Sequence, residues 1–190
     1  MSLKNGSHSA RGDTKMAHTA KAVANHILDL AEAEGVEITP MKLQKLVYFA
    51  HGWHLAILNS PLINEQVECW KYGPVIRSLF HEFKEFGLDP ITRRAVEHHF
   101  ESDPASRRFK AWSSTAELHN PSEETLGLIK DVWQVYKIYS AVKLSNMTHL
   151  PDTPWTEINE KYQGNPPKGT DIPQELIQAY FQNLSASAGR

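Results

Sequence analysis

The sequence contains a single cysteine, Cys69, so no internal disulfide is available and nothing points to an oxidising compartment. No apolar run approaches the roughly 18 to 20 residues that a bilayer-spanning helix needs, and the first residues hold no apolar segment of the secretory-signal kind. A basic excess is missing too. Lys and Arg total 20 against 22 Asp and Glu, a formal charge of −2, which gives no general attraction to phosphate backbones or anionic membranes. Neither common Gly-rich phosphate loop occurs, nor a GxSxG elbow, and there is no internal repeat, low-complexity tract or long heptad run. These absences lead us to expect a soluble cytoplasmic protein with no membrane partner, in which nucleic-acid contact is open to a local patch but not favoured.

What is present is enough apolar material for one domain: 190 residues, 41% of them hydrophobic. The organising stretch runs from Ile38 to Gly87. Thr39 is suited to cap a helix and Pro40 to open it. Leu43, Leu46, Val47, Ala50, Trp53, His54, Ile57 and Leu58 then recur at three- and four-residue steps as one wide apolar stripe. Asn59-Ser60-Pro61 ends that helix, Val67 to Tyr72 reads as extended, and Gly73-Pro74 turns the chain into a helix beginning near Val75. Its inward side is Val75, Ile76, Leu79, Phe80, Phe83 and Phe86, with Arg77, Glu82, Lys84 and Glu85 in solvent.

Elsewhere, His18 to Glu34 predicts a first amphipathic helix stopped by Gly35. Leu88 to Leu118 settles into no single period and predicts a short strand around Ile91 to Val96 or an irregular excursion. Asn120 as cap, Pro121 and Glu123 restart a helix carrying Leu126, Ile129, Val132, Trp133 and Tyr136. Ser140 caps a shorter helix, and Pro154 to Gly169 reads as an irregular surface crossing. Pro173 opens a last helix with Leu176, Ile177, Tyr180, Phe181 and Leu184 inward. The fold expected is mainly α: a compact single-domain bundle of five to six helices with a small extended or β element around residues 66–72. Residues 1–16 are expected to form a flexible tail, 17–184 the domain, and 185–190 a second tail.

The candidate chemical groups each have a plain alternative. His51 and His54 lie three apart on one helix, as helical zinc ligands do, but no third ligand stands at a recognisable spacing; a structural or hydrogen-bonded role is expected. His98-His99 reads as solvated. Cys69 has no base tied to it by spacing and reads as a small buried hydrophobe. Lys42 and Lys45, near one turn apart, read as a solvated helix face. Arg93-Arg94 and Arg107-Arg108-Lys110 are interleaved with acids and read as solubilising surface. Trp53, Trp70, Tyr72, Trp133 and Trp155 are expected mainly in the core, with one or two at a partly exposed rim able to anchor a protein interface. No catalytic residue, metal or cofactor is expected.

LQKLVYFAHGWHLA from Leu43, VECWKYGPV from Val67, LFHEF from Leu79 and LSNMTHLPDTPW from Leu144 resemble the Panacea domain, formerly a domain of unknown function, found in SocA-like antitoxins and phage-associated proteins. The resemblance covers about Ala17 to Leu184, least in Leu88 to Leu118. It implies a helical module that neutralises a toxin protein, encoded by a neighbouring gene, through direct contact. The positions that match the family signature are Lys45, Tyr48, Gly52, Trp53, Trp70, Gly73, Pro74, His149, Pro154 and Trp155, several of them expected to hold the fold. Two other functions stay open: a DNA-contacting regulator of its own operon, and a metal-dependent hydrolase using His51, His54 or His149. The oligomeric state is left open.

Overall fold

Helix α2, Pro40–Leu58, is the axis of the molecule. Thr39 accepts the Lys42 amide at its start and Pro40 fills the first turn, as the sequence predicts. The helix is not merely striped, however. Every residue from Leu43 to Gly52 is buried, so it presents an inward surface on all sides. Ile57, expected inside, is exposed near its end. A computed structural model describes residues 17–103 and 108–188 of the chain. The tail expected over residues 1–16, and Arg107, lie outside them.

Seven α-helices surround or include this axis among the described residues, rather than five or six, with small antiparallel sheets between them. Helix α1, Ala20–Ala33, is capped by Thr19 and packs across α2. Strands β1, Val67–Trp70, and β2, Gly73–Ile76, form a tight hairpin with Trp70 opposite Gly73. Gly73 sits at φ 101°, a backbone state that a side chain would resist. The helix expected from Val75 therefore starts later, as α3, Arg77–Phe83, and passes into a 3-10 turn at Lys84–Phe86. Val75 and Ile76 share the apolar spacing of α3 but are spent on the strand. Phe80, assigned inward, is exposed, whereas Glu82, assigned to solvent, is half-buried between Lys21 (2.5 Å) and Arg93 (2.5 Å).

Strands β3, Val96–Asp103, and β4, Arg108–Thr115, replace the short strand or irregular excursion expected there. They form a separate two-stranded ribbon. Its root is set by Asn25 of α1, whose buried amide donates to the carbonyls of Ala95 (3.0 Å) and Ala116 (2.8 Å) and accepts from the Ala95 amide (2.8 Å). The Ala116 amide closes on the Ala95 carbonyl at 3.0 Å. Farther out, Phe100 stacks on Phe109 and His99 on Trp112 across the strands, with Phe100, Phe109 and Trp112 all exposed.

Helix α4, Glu123–Tyr136, is capped by Ser122 instead of Asn120, which takes a left-handed conformation (φ 45°) ahead of it. Its buried face holds Leu128, Ile129, Val132, Trp133 and Tyr136. Ser140 caps α5, Ala141–Met147, as expected. The predicted surface crossing begins as a helix, α6, Pro154–Lys161, with Thr153 accepting the Thr156 amide and Pro154 in the first turn. Strand β5, Asp171–Ile172, then pairs with β1 to complete the order β2-β1-β5. Helix α7, Gln174–Ala188, lies along α2 with Ile177 and Phe181 fully buried; Leu184 is exposed. It continues into the stretch expected as a tail from 185. One apolar core joins α1, α2, α4, α7 and the hairpin.

Candidate functional site

Three polar residues, Gln44, Lys45 and His51, interrupt the buried run of α2, and the first two face the free edge of β2. An unpaired strand edge inside a protein leaves amides and carbonyls that need partners. The Gln44 side chain supplies them for Ile76, accepting its N–H at 3.0 Å and donating to its C=O at 2.9 Å, as a neighbouring strand would. Lys45 does the same work one step along. Its ammonium donates to the carbonyls of Pro74 (3.0 Å) and Tyr72 (2.9 Å).

Lys45 is only 2% exposed, so the expectation of a solvated face fails there. Lys42 departs from it as well, donating to the Lys137 carbonyl at 2.6 Å. Burial pushes the Lys45 amine down to about 7, while its two carbonyl acceptors favour the protonated form. A β-carbon on Gly73 would come within 2.6 Å of the Lys45 Nζ and 2.7 Å of the Thr148 hydroxyl, so the glycine answers to both its φ and its surroundings.

The end of α5 closes the same seam. Ser145 donates to the Tyr72 carbonyl (3.1 Å), and both Thr148 Oγ1 (2.7 Å) and His149 Nδ1 (2.6 Å) donate to the Ser145 carbonyl. The His149 ring lies 3.9 Å, centroid to centroid, from Trp155 of α6, whose indole N–H donates to the Trp70 carbonyl at 2.7 Å. Thr153, the cap of α6, donates to the Thr148 carbonyl at 2.8 Å. Lys45, Trp70, Gly73, Pro74, His149, Pro154 and Trp155 thus meet at one seam between α2, the hairpin, α5 and α6.

Tyr48, Gly52 and Trp53 do not join it. They serve the following turns of α2, away from the hairpin, where Gly52 admits the Phe181 ring of α7, Tyr48 meets that ring edge-on, and Trp53 donates to the Tyr136 hydroxyl at 3.0 Å. Sequence reasoning overlooked Gln44, Ser145, Thr148 and Thr153. The signal available was the adjacent polar pair Gln44-Lys45 inside a mainly apolar run.

The remaining candidates are engaged in other ways. His54 Nδ1 donates to the Ser60 carbonyl (2.6 Å), which leaves Nε2 to accept from Thr125 (3.2 Å). His51 is fully buried with neither ring nitrogen hydrogen-bonded among the described residues, and burial pushes it down to about 4. The Cys69 thiol is buried 3.8 Å from the Trp155 carbonyl and pushed up to about 11, which leaves little thiolate near neutral pH. Arg93 pairs with Glu82 and Glu85, and Arg94 with Asp29 and Glu32. Among the described residues no three His, Cys, Asp or Glu side chains gather as a metal would require, and no helix is long and apolar enough to cross a membrane.

Beside the seam lies a groove of about 480 Å³ between the start of α2, the β1–β2 turn and α3. Met41, Val75 and Leu79 line it, and Trp70 and Phe80 pair their rings at 4.8 Å. Tyr72 is 65% exposed and Phe80 38%.

A family model described as "Antitoxin SocA-like, Panacea domain" matches residues 43–156, which includes the whole seam and all of the groove's lining but Pro40 and Met41. Antitoxin SocA of Caulobacter vibrioides (strain NA1000 / CB15N) is 44% identical over 77 residues, covering 40% of this chain and 41% of that protein. The match thus spans about two fifths of that relative's length. No solved structure matches significantly.

Proposed function

The chain belongs to the SocA-like, Panacea-domain antitoxin family, and from that premise we propose that it neutralises a toxin protein, encoded by a neighbouring gene, by direct contact in the cytoplasm, without turnover. Residues 17–184 form the acting domain. The observation that carries this reading is where the signature side chains spend their polar atoms. Lys45, His149, Trp155 and Trp53 all bond inside the chain, and the seam that the first three build fixes a shape rather than presenting a reactive group. A binding module needs that rigidity, because ordering a loose surface on association costs affinity.

Operator binding, the alternative, loses one of its two basic clusters. The Arg93 and Arg94 guanidiniums are already held by Glu82, Glu85, Asp29 and Glu32. The test is co-expression with the adjacent open reading frame. Restored growth together with a co-purifying complex is the expected result; continued arrest despite soluble expression, or rescue with no complex, would overturn direct neutralisation.

A further inference from the structure

Three lysines line the groove beside the seam, Lys45 within it and Lys71 and Lys84 exposed at its rim, and no carboxylate among the described residues does. That is the opposite of the molecule's overall −2 charge. Neither rim ammonium is held by a carboxylate among the described residues, unlike Arg93 and Arg94 close by. Lys71 instead sits 5.4 Å from the centre of the Tyr72 ring. Between the two charges lie the aromatic surfaces of Trp70, Tyr72 and Phe80, the residue types that most often anchor protein interfaces. The floor is stiff, since Gln44 and Lys45 tie β2 to α2 beneath it.

We infer that this groove is the toxin-docking surface, and that it takes an apolar segment of the partner flanked by acidic side chains. Apolar anchors cover Trp70, Phe80 and Leu79, while the flanking carboxylates meet Lys71 and Lys84. The opening residues of this same chain do not suit the site. Residues 1–16 carry Lys4, Arg11 and Lys15 against Asp13 alone, a charge of the same sign as the rim.

The assignment rests on the antitoxin reading, so the experiment separates the two. The full chain and the toxin encoded beside it are purified and their affinity is measured at low and physiological salt. The double charge reversal Lys71→Glu with Lys84→Glu should weaken binding about tenfold or more, chiefly in the association rate and with the salt dependence reduced. Phe80→Ala should weaken it at both salt concentrations. The pair Ile57→Ser and Val135→Ser, in a second apolar groove between α2 and α4, should leave it unchanged. Unfolding curves confirm that each variant folds.

Full binding by both groove variants, or loss confined to the α2–α4 pair, overturns the groove assignment while the antitoxin reading stands. No complex with the wild-type chain overturns both. A self-association of the free chain that Phe80→Ala abolishes assigns the groove to a second copy and overturns the acidic partner segment.

Discussion

Replacing Lys45 with Met keeps the length and most of the volume of the side chain while removing the buried amine. In the wild type that amine moves from its ordinary 10.5 to about 7 on folding. A gap of about 3.5 pH units is worth on the order of 5 kcal/mol. Below pH 7 the amine is protonated in both folded and unfolded chains and the cost of burying the charge is fully present. Between 7 and 10.5 the unfolded chain holds a proton that the folded chain has given up, so stability rises with pH, approaching roughly 1.4 kcal/mol per pH unit. The Met variant has no such rise. It leaves the Pro74 carbonyl without its donor, a cost of about 1 to 3 kcal/mol independent of pH, whereas the Tyr72 carbonyl keeps the Ser145 hydroxyl. Urea unfolding of both proteins at half-unit steps from pH 6 to 9.5 should show the wild-type advantage growing by about 3 kcal/mol across that range. A difference that stays flat would refute the reasoning, because it would mean that the amine remains charged in the fold.

Gly52→Ala would place a β-carbon 2.2 Å from the fully buried Phe181 ring; we expect a loss of about 3 kcal/mol in thermal unfolding, relieved by adding Phe181→Leu, and a near-wild-type melting temperature for the single variant would contradict the packing described. Gln44→Leu strips both partners from Ile76 on the β2 edge, so stability should fall by about 2 to 4 kcal/mol and the Ile76 amide should exchange with deuterium much faster; unchanged exchange would count against the edge-sealing role. His51 is held near 4, so between 6.5 and 4 the unfolded chain takes up a proton that the folded chain refuses, and stability falls on acidification through that window. His51→Leu should remove that part of the acid sensitivity, about 3 kcal/mol in all, and identical acid unfolding curves would exclude it.

Helix α2 was readable because Thr39, Pro40 and a dense apolar spacing all agree, and the cap at Ser140 follows the same chemistry, whereas the cap at Thr19 was not read. The start of α4 was placed two residues early, since Asn120 and Ser122 are both competent caps and only the left-handed turn at Asn120 decides between them. The ribbon left no trace because its outer residues face solvent on both sides, which erases the alternation that marks a half-buried strand. Lys45 was misread for a related reason. Its partners are backbone carbonyls 27 and 29 residues farther along, and a carbonyl has no letter in the sequence. The family resemblance picked out part of the seam, missing Gln44, Ser145, Thr148 and Thr153, and gave no sign that Lys45, Gly73 and His149 meet.

The Asn25 amide grips Ala95 and Ala116 together, and Lys21 and Thr19 reach one step farther, to the Val96 carbonyl and the Glu97 carboxylate, so the helical body clasps the ribbon at its root. Lengthening or exchanging the passage beyond Glu97 then costs mainly loop entropy, about 0.6 kcal/mol for each doubling. Relatives are free to diverge in that passage first, and an affinity tag or fluorescent reporter can be spliced into it with the rest of the molecule undisturbed.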